Sequence, residues 1–159
     1  MFADGPPAPK ATSPLVAYPM AMRTVSVSRT VAADVDRVRS AIREVEPFMA
    51  AGGFSEASVD DGEIYLRQEL GLGRIELRLD IVDDPDAALA YEQREGVFER
   101  MRTRYEVEAE DGGTRVTATT AFELGGVVGS VLDATVVKRK RRSELNAQFD
   151  YLEAELADA

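Results

Sequence analysis

Cysteine and histidine are both absent from this 159-residue chain. That removes thiolate nucleophiles, imidazole bases, disulfides and the usual zinc ligands together. A metal would have to be a hard ion on carboxylates, and the acidic runs at Asp60-Asp61 and Asp83-Asp84-Pro85-Asp86 read as water-facing turns. No metal site and no cofactor is expected. The chemistry left is that of phenols, hydroxyls, amides, carboxylates and guanidinium groups. On the apolar faces of the alternating segments the polar exceptions are Gln68, Tyr91, Gln93, Thr103, Tyr105 and Thr120, with Met101 and Phe122 beside them. Such a lining suits holding a ligand by a few hydrogen bonds inside an apolar pocket. It suits proton transfer poorly, because that needs a group poised near neutral pH. Glu95 continues the phase of Tyr91 and Gln93 and is the best carboxylate candidate, but its place beside Gly96 at the strand's end favours solvent. No catalytic residue is assigned. The segment Gly71–Arg74 is glycine-rich but joins two strands, so it is not a phosphate cradle.

The second chemical feature is a run of five cations, Lys138, Arg139, Lys140, Arg141 and Arg142, in a chain of formal net charge -10. The run lies inside an amphipathic pattern expected to be one helix from about Val127 to Leu156. On a wheel of ~100° per residue, Val128, Val131, Leu132 and Thr135 define an inward face that Leu145, Phe149, Leu152 and Leu156 continue. Lys138, Arg139 and Arg142 then fall within the stripe, and Lys140 and Arg141 point outward. Cations that wrap a helix in this way do not form a nucleic-acid arm. Their stems lie along apolar surface with the heads reaching acidic neighbours. Alternatively, Arg139 or Arg142 sits at a cavity mouth and grips a ligand's carboxylate or phosphate bidentately. An external acidic partner or an anionic membrane is the third reading. The expected ligand-binding residues are thus Gln68, Tyr91, Gln93, Met101, Thr103, Tyr105, Thr120, Phe122, Leu132, Thr135, Arg139 and Arg142.

The elements that must position these groups are legible in order. The opening segment carries Pro6, Pro7, Pro9, Pro14 and Pro19 without periodicity, and reads as a disordered leader over residues 1–22. It lacks the basic start and unbroken apolar stretch of a secretory signal. Translation beginning at Met1, Met20 or Met22 fits equally well. Val25 and Val27 alternate in a first strand. Val35, Val38, Ile42 and Val45 then follow at helical spacing, with Asp34 as N-cap and a break at Pro47. Alternating strands follow, parted by turn signals at Asp61-Gly62, Pro85 and Asp111-Gly112-Gly113. Each strand has one apolar and one charged face, as in an antiparallel sheet covered on one side. Gly125-Gly126 precedes the long helix, which at ~1.5 Å per residue crosses the whole sheet.

Composition bounds the rest. Hydrophobic residues make up 45%, enough for one core, and no run of ~20 apolar residues could span a bilayer. A cytoplasmic location is the expectation. Asp and Glu number 29 against 19 cations, of which only Lys10, Lys138 and Lys140 are lysine. An acidic, lysine-poor surface fits work at high salt, where screening tolerates self-repulsion. It also disfavours nucleic acid as a partner.

The segments "SVSRTVAADVDRVRSAIREVEPF" and "FELGGVVGSVLDATVVKRKRRSELNAQFDYLEAEL" resemble the opening and ending of the SRPBCC superfamily, which includes START-like and polyketide cyclase/dehydrase-like proteins. The resemblance covers about Arg23 to Leu156. It implies an α+β helix-grip fold over residues 23–157, with an antiparallel sheet of about seven strands wrapped around a long C-terminal helix. It further implies a cavity between sheet and helix for a lipid, quinone or polyketide-like molecule. Non-catalytic binding or carrying of such a hydrophobic molecule is the expected function. A cyclase/dehydratase-type enzyme and a protein-interaction member with a vestigial cavity are the alternatives, and fold does not choose among them.

Overall fold

The computed structural model describes residues 22–70, 73–125 and 133–157. The expected leader therefore lies outside the described residues apart from Met22. The elements are β1 (Arg23–Val31), α1 (Val35–Arg43), α2 (Val45–Ala50), β2 (Glu56–Asp60), β3 (Glu63–Leu70), β4 (Gly73–Ile81), β5 (Leu89–Glu95), β6 (Phe98–Glu110), β7 (Gly113–Leu124) and α3 (Ala134–Leu156). The strands form one antiparallel sheet in the order β1-β7-β6-β5-β4-β3-β2. It is the helix-grip α+β fold. β2 to β7 run as a meander, and β1 closes the far edge against β7, so the α1–α2 pair must carry the chain from one edge to the other.

Local chemistry explains the boundaries. Asp34 caps α1 by accepting from the Arg37 backbone N–H at 2.9 Å. The break expected at Pro47 comes at Glu44, whose φ and ψ are not helical. Pro47 sits in the first turn of α2, where no intrahelical donor is missed. Asp61 and Gly62 both take positive φ, 52° and 80°, in the two-residue turn that joins β2 to β3. The long helix starts later than its sequence pattern suggests. Asp133 is extended and caps α3 by accepting from the Val136 N–H at 2.9 Å. The positions expected to open that helix, among them Val128, Val131 and Leu132, lie outside the described residues.

Two bulges shape the sheet. Arg78 pairs with Glu95 but Leu79 pairs with Gln93, so Arg94 is the extra residue in β5. Phe98 pairs with Leu124 but Arg100 pairs with Glu123, so Glu99 is the extra residue in β6. Each bulge reverses the in–out phase beyond it. Phe98 is thereby turned inward, with its ring centroid 5.5 Å from that of Phe122.

The core lies between the concave face and the three helices. Val38, Ile42, Phe48, Met49, Leu145, Phe149 and Leu152 meet Ile64, Leu79, Tyr91, Tyr105 and Phe122, all fully buried. Burying each large apolar side chain stabilises by about 1.5–3 kcal/mol. The convex face is charged. Arg102 pairs with Glu92 and Asp84, Arg104 with Asp84, and Arg94 with Asp80 and Glu63.

Candidate functional site: a buried arginine on the wall of an apolar cavity

The buried stripe of α3 runs Val137, Arg141, Glu144, Leu145, Gln148, Phe149, Leu152 and Leu156. These positions repeat at three and four residues, so Arg141 occupies a core position between Val137 and Leu145. The expectation that Arg141 points outward, and that Arg139 and Arg142 point inward, is reversed. Arg141 is buried, and Arg139 and Arg142 are exposed. A wheel anchored on residues 128–135 misplaces them, because α3 begins only at Ala134, after an extended Asp133. Thr135, expected inward, is exposed in the first turn of α3.

Arg141 is held by partners on four elements. Its Nε donates to Thr120 Oγ1 at 2.9 Å, and Nη1 donates to Glu144 Oε1 at 3.0 Å. Nη2 donates to Tyr91 OH at 2.6 Å and Thr103 Oγ1 at 3.3 Å. Thr103 and Thr120 lie opposite each other on β6 and β7, with hydroxyls 2.7 Å apart. Tyr105 gives its one hydroxyl proton to Gln148 Oε1 at 2.7 Å, so its oxygen accepts from Tyr91 at 3.1 Å. Gln148 Nε2 ends the chain on the Phe48 carbonyl at 3.2 Å. The network therefore has one direction, from Arg141 through Tyr91, Tyr105 and Gln148 to the main chain of α2.

Electrostatics follow from burial. Desolvation opposes the charge on Arg141, but Tyr91, Tyr105 and Glu144 outweigh it and keep the guanidinium protonated. Burial and the neighbouring Tyr91 push the Tyr105 phenol well above its usual range, against the pull of Arg141. Burial also raises the Glu144 carboxyl, and Arg141 and Lys140 offset this only in part. Glu144 thus accepts a proton more readily than a surface glutamate.

Beside this network is an apolar cavity of about 170 Å³. Strands β3 to β7 supply Leu66, Gln68, Ile75, Leu77, Leu79, Tyr91, Phe98, Met101, Thr120 and Phe122, and the opening turns of α3 supply Val136, Val137, Lys140, Arg141 and Glu144. Of the residues expected from sequence, the cavity brings together Gln68, Tyr91, Met101, Thr120 and Phe122. Thr103 and Tyr105 are fully buried within the network that holds Arg141. Gln93 clasps the β5–β6 hairpin, donating to the Phe98 carbonyl at 2.8 Å and accepting from the Phe98 N–H at 3.2 Å. Leu132 lies outside the described residues. Glu95 is exposed beside Arg78, because the bulge at Arg94 turns it to the convex face. Sequence reasoning does not place Arg141 and Glu144 on the cavity wall. Counting back from Leu145 in steps of four would find Arg141.

The remaining cations of the run, Lys138, Arg139, Lys140 and Arg142, make no ion pair among the described residues. Along α3 they precede Asp150, Glu153 and Glu155, the reverse of the order that the helix dipole favours. Val136, on the same turns, is 43% exposed and borders the cavity. Among the described residues no helix is long and apolar enough to cross a membrane.

Comparison with known proteins agrees with this architecture. A protein of Thermus thermophilus superposes with a TM-score of 0.66 at 17% identity, covering 84% of this chain and 99% of its own. The Zhui aromatase/cyclase of a Streptomyces species gives 0.65 at 22% identity, covering 83% and 94%. A START superfamily protein of Mycobacterium smegmatis gives 0.66 at 14%, covering 85% and 97%. No curated protein matches the sequence. The family described as polyketide cyclase / dehydrase and lipid transport matches residues 22–157, all of the described domain, and the chain belongs to that family.

Proposed function

We propose that the protein binds a hydrophobic small molecule between sheet and α3, with an oxygen atom of the ligand at Arg141. The observation that carries this reading is the juxtaposition of an apolar cavity of about 170 Å³ with a guanidinium that borders it. Four of the five N–H groups of Arg141 have partners, and one N–H on Nη1 has none among the described residues. An acceptor oxygen at the cavity wall would complete it. Because Glu144 already balances the Arg141 charge, a carbonyl or hydroxyl oxygen suffices and no anion is required.

The test is calorimetric titration with methyl nonyl ketone, alongside solvent extraction of the purified protein and mass spectrometry of the extract. Binding that is lost in Leu77→Trp, which fills the cavity, with an unchanged circular dichroism spectrum is the expected result. Absence of ketone binding together with an empty extract would rule the reading out.

A second reading is favoured by Glu144. A carboxyl raised by burial next to a carbonyl-polarising arginine is suited to acid–base work. On a β-hydroxy ketone, Glu144 would take the proton between the two oxygen-bearing carbons and pass it to the departing hydroxide, so that enone and water form and the carboxylate is restored. Enone absorbance that rises with wild type and not with Glu144→Gln, at equal ketone affinity, would establish an enzyme. No absorbance change with wild type would leave the binding reading alone.

A further inference from the structure

Gln68 on β3 borders the cavity, and its Oε1 is shut off from solvent without a hydrogen-bond partner among the described residues. Its Nε2 has only a long contact to the Glu69 carbonyl, at 3.4 Å. A buried carbonyl acceptor left unmade costs about 1–3 kcal/mol, so it calls for a compensating donor. The neighbouring wall offers none: Leu66, Ile75, Leu77 and Phe54 are hydrocarbon.

The position of Gln68 relative to Arg141 follows from the register. Gln68 pairs with Ile75 on β4. Tyr91, which receives the Arg141 hydrogen bond, pairs with Ile81 on the same strand. The six-residue offset from Ile75 to Ile81 is about 20 Å of strand at ~3.3 Å per residue. The cavity lining therefore carries a donor, Arg141, and an acceptor, Gln68, reached from different levels of the sheet, with Leu66, Leu77 and Leu79 also on the wall.

Building on the proposed binding function, we infer that Gln68 is a second recognition residue and that the ligand is an elongated apolar molecule with two unlike polar ends. An acceptor oxygen meets Arg141, and a hydroxyl or N–H donor meets Gln68 Oε1. A simple fatty chain with one polar head leaves Gln68 unanswered. A chain or fused-ring body with a remote hydroxyl satisfies both ends.

The experiment compares methyl nonyl ketone with its terminal-hydroxyl analogue, titrated into wild type and into Gln68→Leu. Wild type is expected to bind the hydroxy ketone about threefold to tenfold more tightly, the range of one net hydrogen bond. Gln68→Leu removes no side-chain hydrogen bond from Oε1, so it should fold as wild type does. It should hold the plain ketone at least as tightly and lose the preference for the hydroxyl. Equal binding of both ketones by wild type, or a preference that survives in Gln68→Leu, overturns the role of Gln68 while leaving the binding function standing. Failure of both ketones to bind wild type overturns this inference, and with an empty extract it removes the binding function as well.

Discussion

Arg141 and Glu144 form an ion pair that is almost wholly removed from water. Taking one member away leaves the other charge buried and unpaired, which costs about 3–5 kcal/mol. Arg141→Met should therefore lose that much stability in urea unfolding. Arg141→Met combined with Glu144→Leu should recover most of it, because the remaining hydroxyls still bond one another in pairs. A double variant as unstable as the single one would show that Arg141 acts chiefly through Tyr91 and the threonines. The Tyr105 phenol gives a pH signature. Its folded pKa is raised, so above about pH 10 the unfolded chain loses this proton first. The folded state then binds more protons, and stability falls as pH rises through that window. Ultraviolet titration should show a tyrosine that ionises only as the protein unfolds. Smooth ionisation of every tyrosine near pH 10, with the fold intact, would contradict the burial argument.

At the scale of elements, α3 depends on its first turn. Asp133→Ala removes the cap of a helix whose opening turns border the cavity, and should cost about 1 kcal/mol in denaturant unfolding. An unchanged midpoint would mean that the segment before α3 supplies another acceptor. How far the sequence could be read is visible in the same elements. Val25, Ile64, Leu79 and Phe122 alternate as a one-sided sheet must, so strand identity and the buried face were legible. A bulge leaves no mark on a hydropathy pattern, however, so the outward turn of Glu95 and the inward turn of Phe98 could not be read from period two. The arginine was obscured for another reason. Its core position is chemically disguised, because a cation amid four others looks like a solvated face. Besides Glu144, the partners that make burial tolerable reach it from β5, β6 and β7, and these lie 21 to 50 residues away in the chain.

The molecule as a whole carries a formal net charge of -10, although its convex face is laced with arginine–carboxylate pairs. Such exposed pairs contribute about 0–1 kcal/mol each and weaken in salt. Self-repulsion of the acidic excess weakens in salt as well. We propose that the second effect wins, as the lysine-poor surface suggests, so the melting temperature should rise between ~0.1 M and molar KCl. A melting temperature that falls or stays level over that range would remove the salt-adapted reading.

The order of charges along α3 has a final consequence. Apart from Glu144, the cations of α3 lie in its first half and the acids in its second, so these side chains add to the peptide dipole instead of cancelling it. On an acidic protein with a sequence pI near 4.6, the cations of α3 thus form a local positive site next to the cavity lining. Chromatography on a negatively charged resin at low ionic strength should reveal that local site as retardation of a protein whose net charge is repelled.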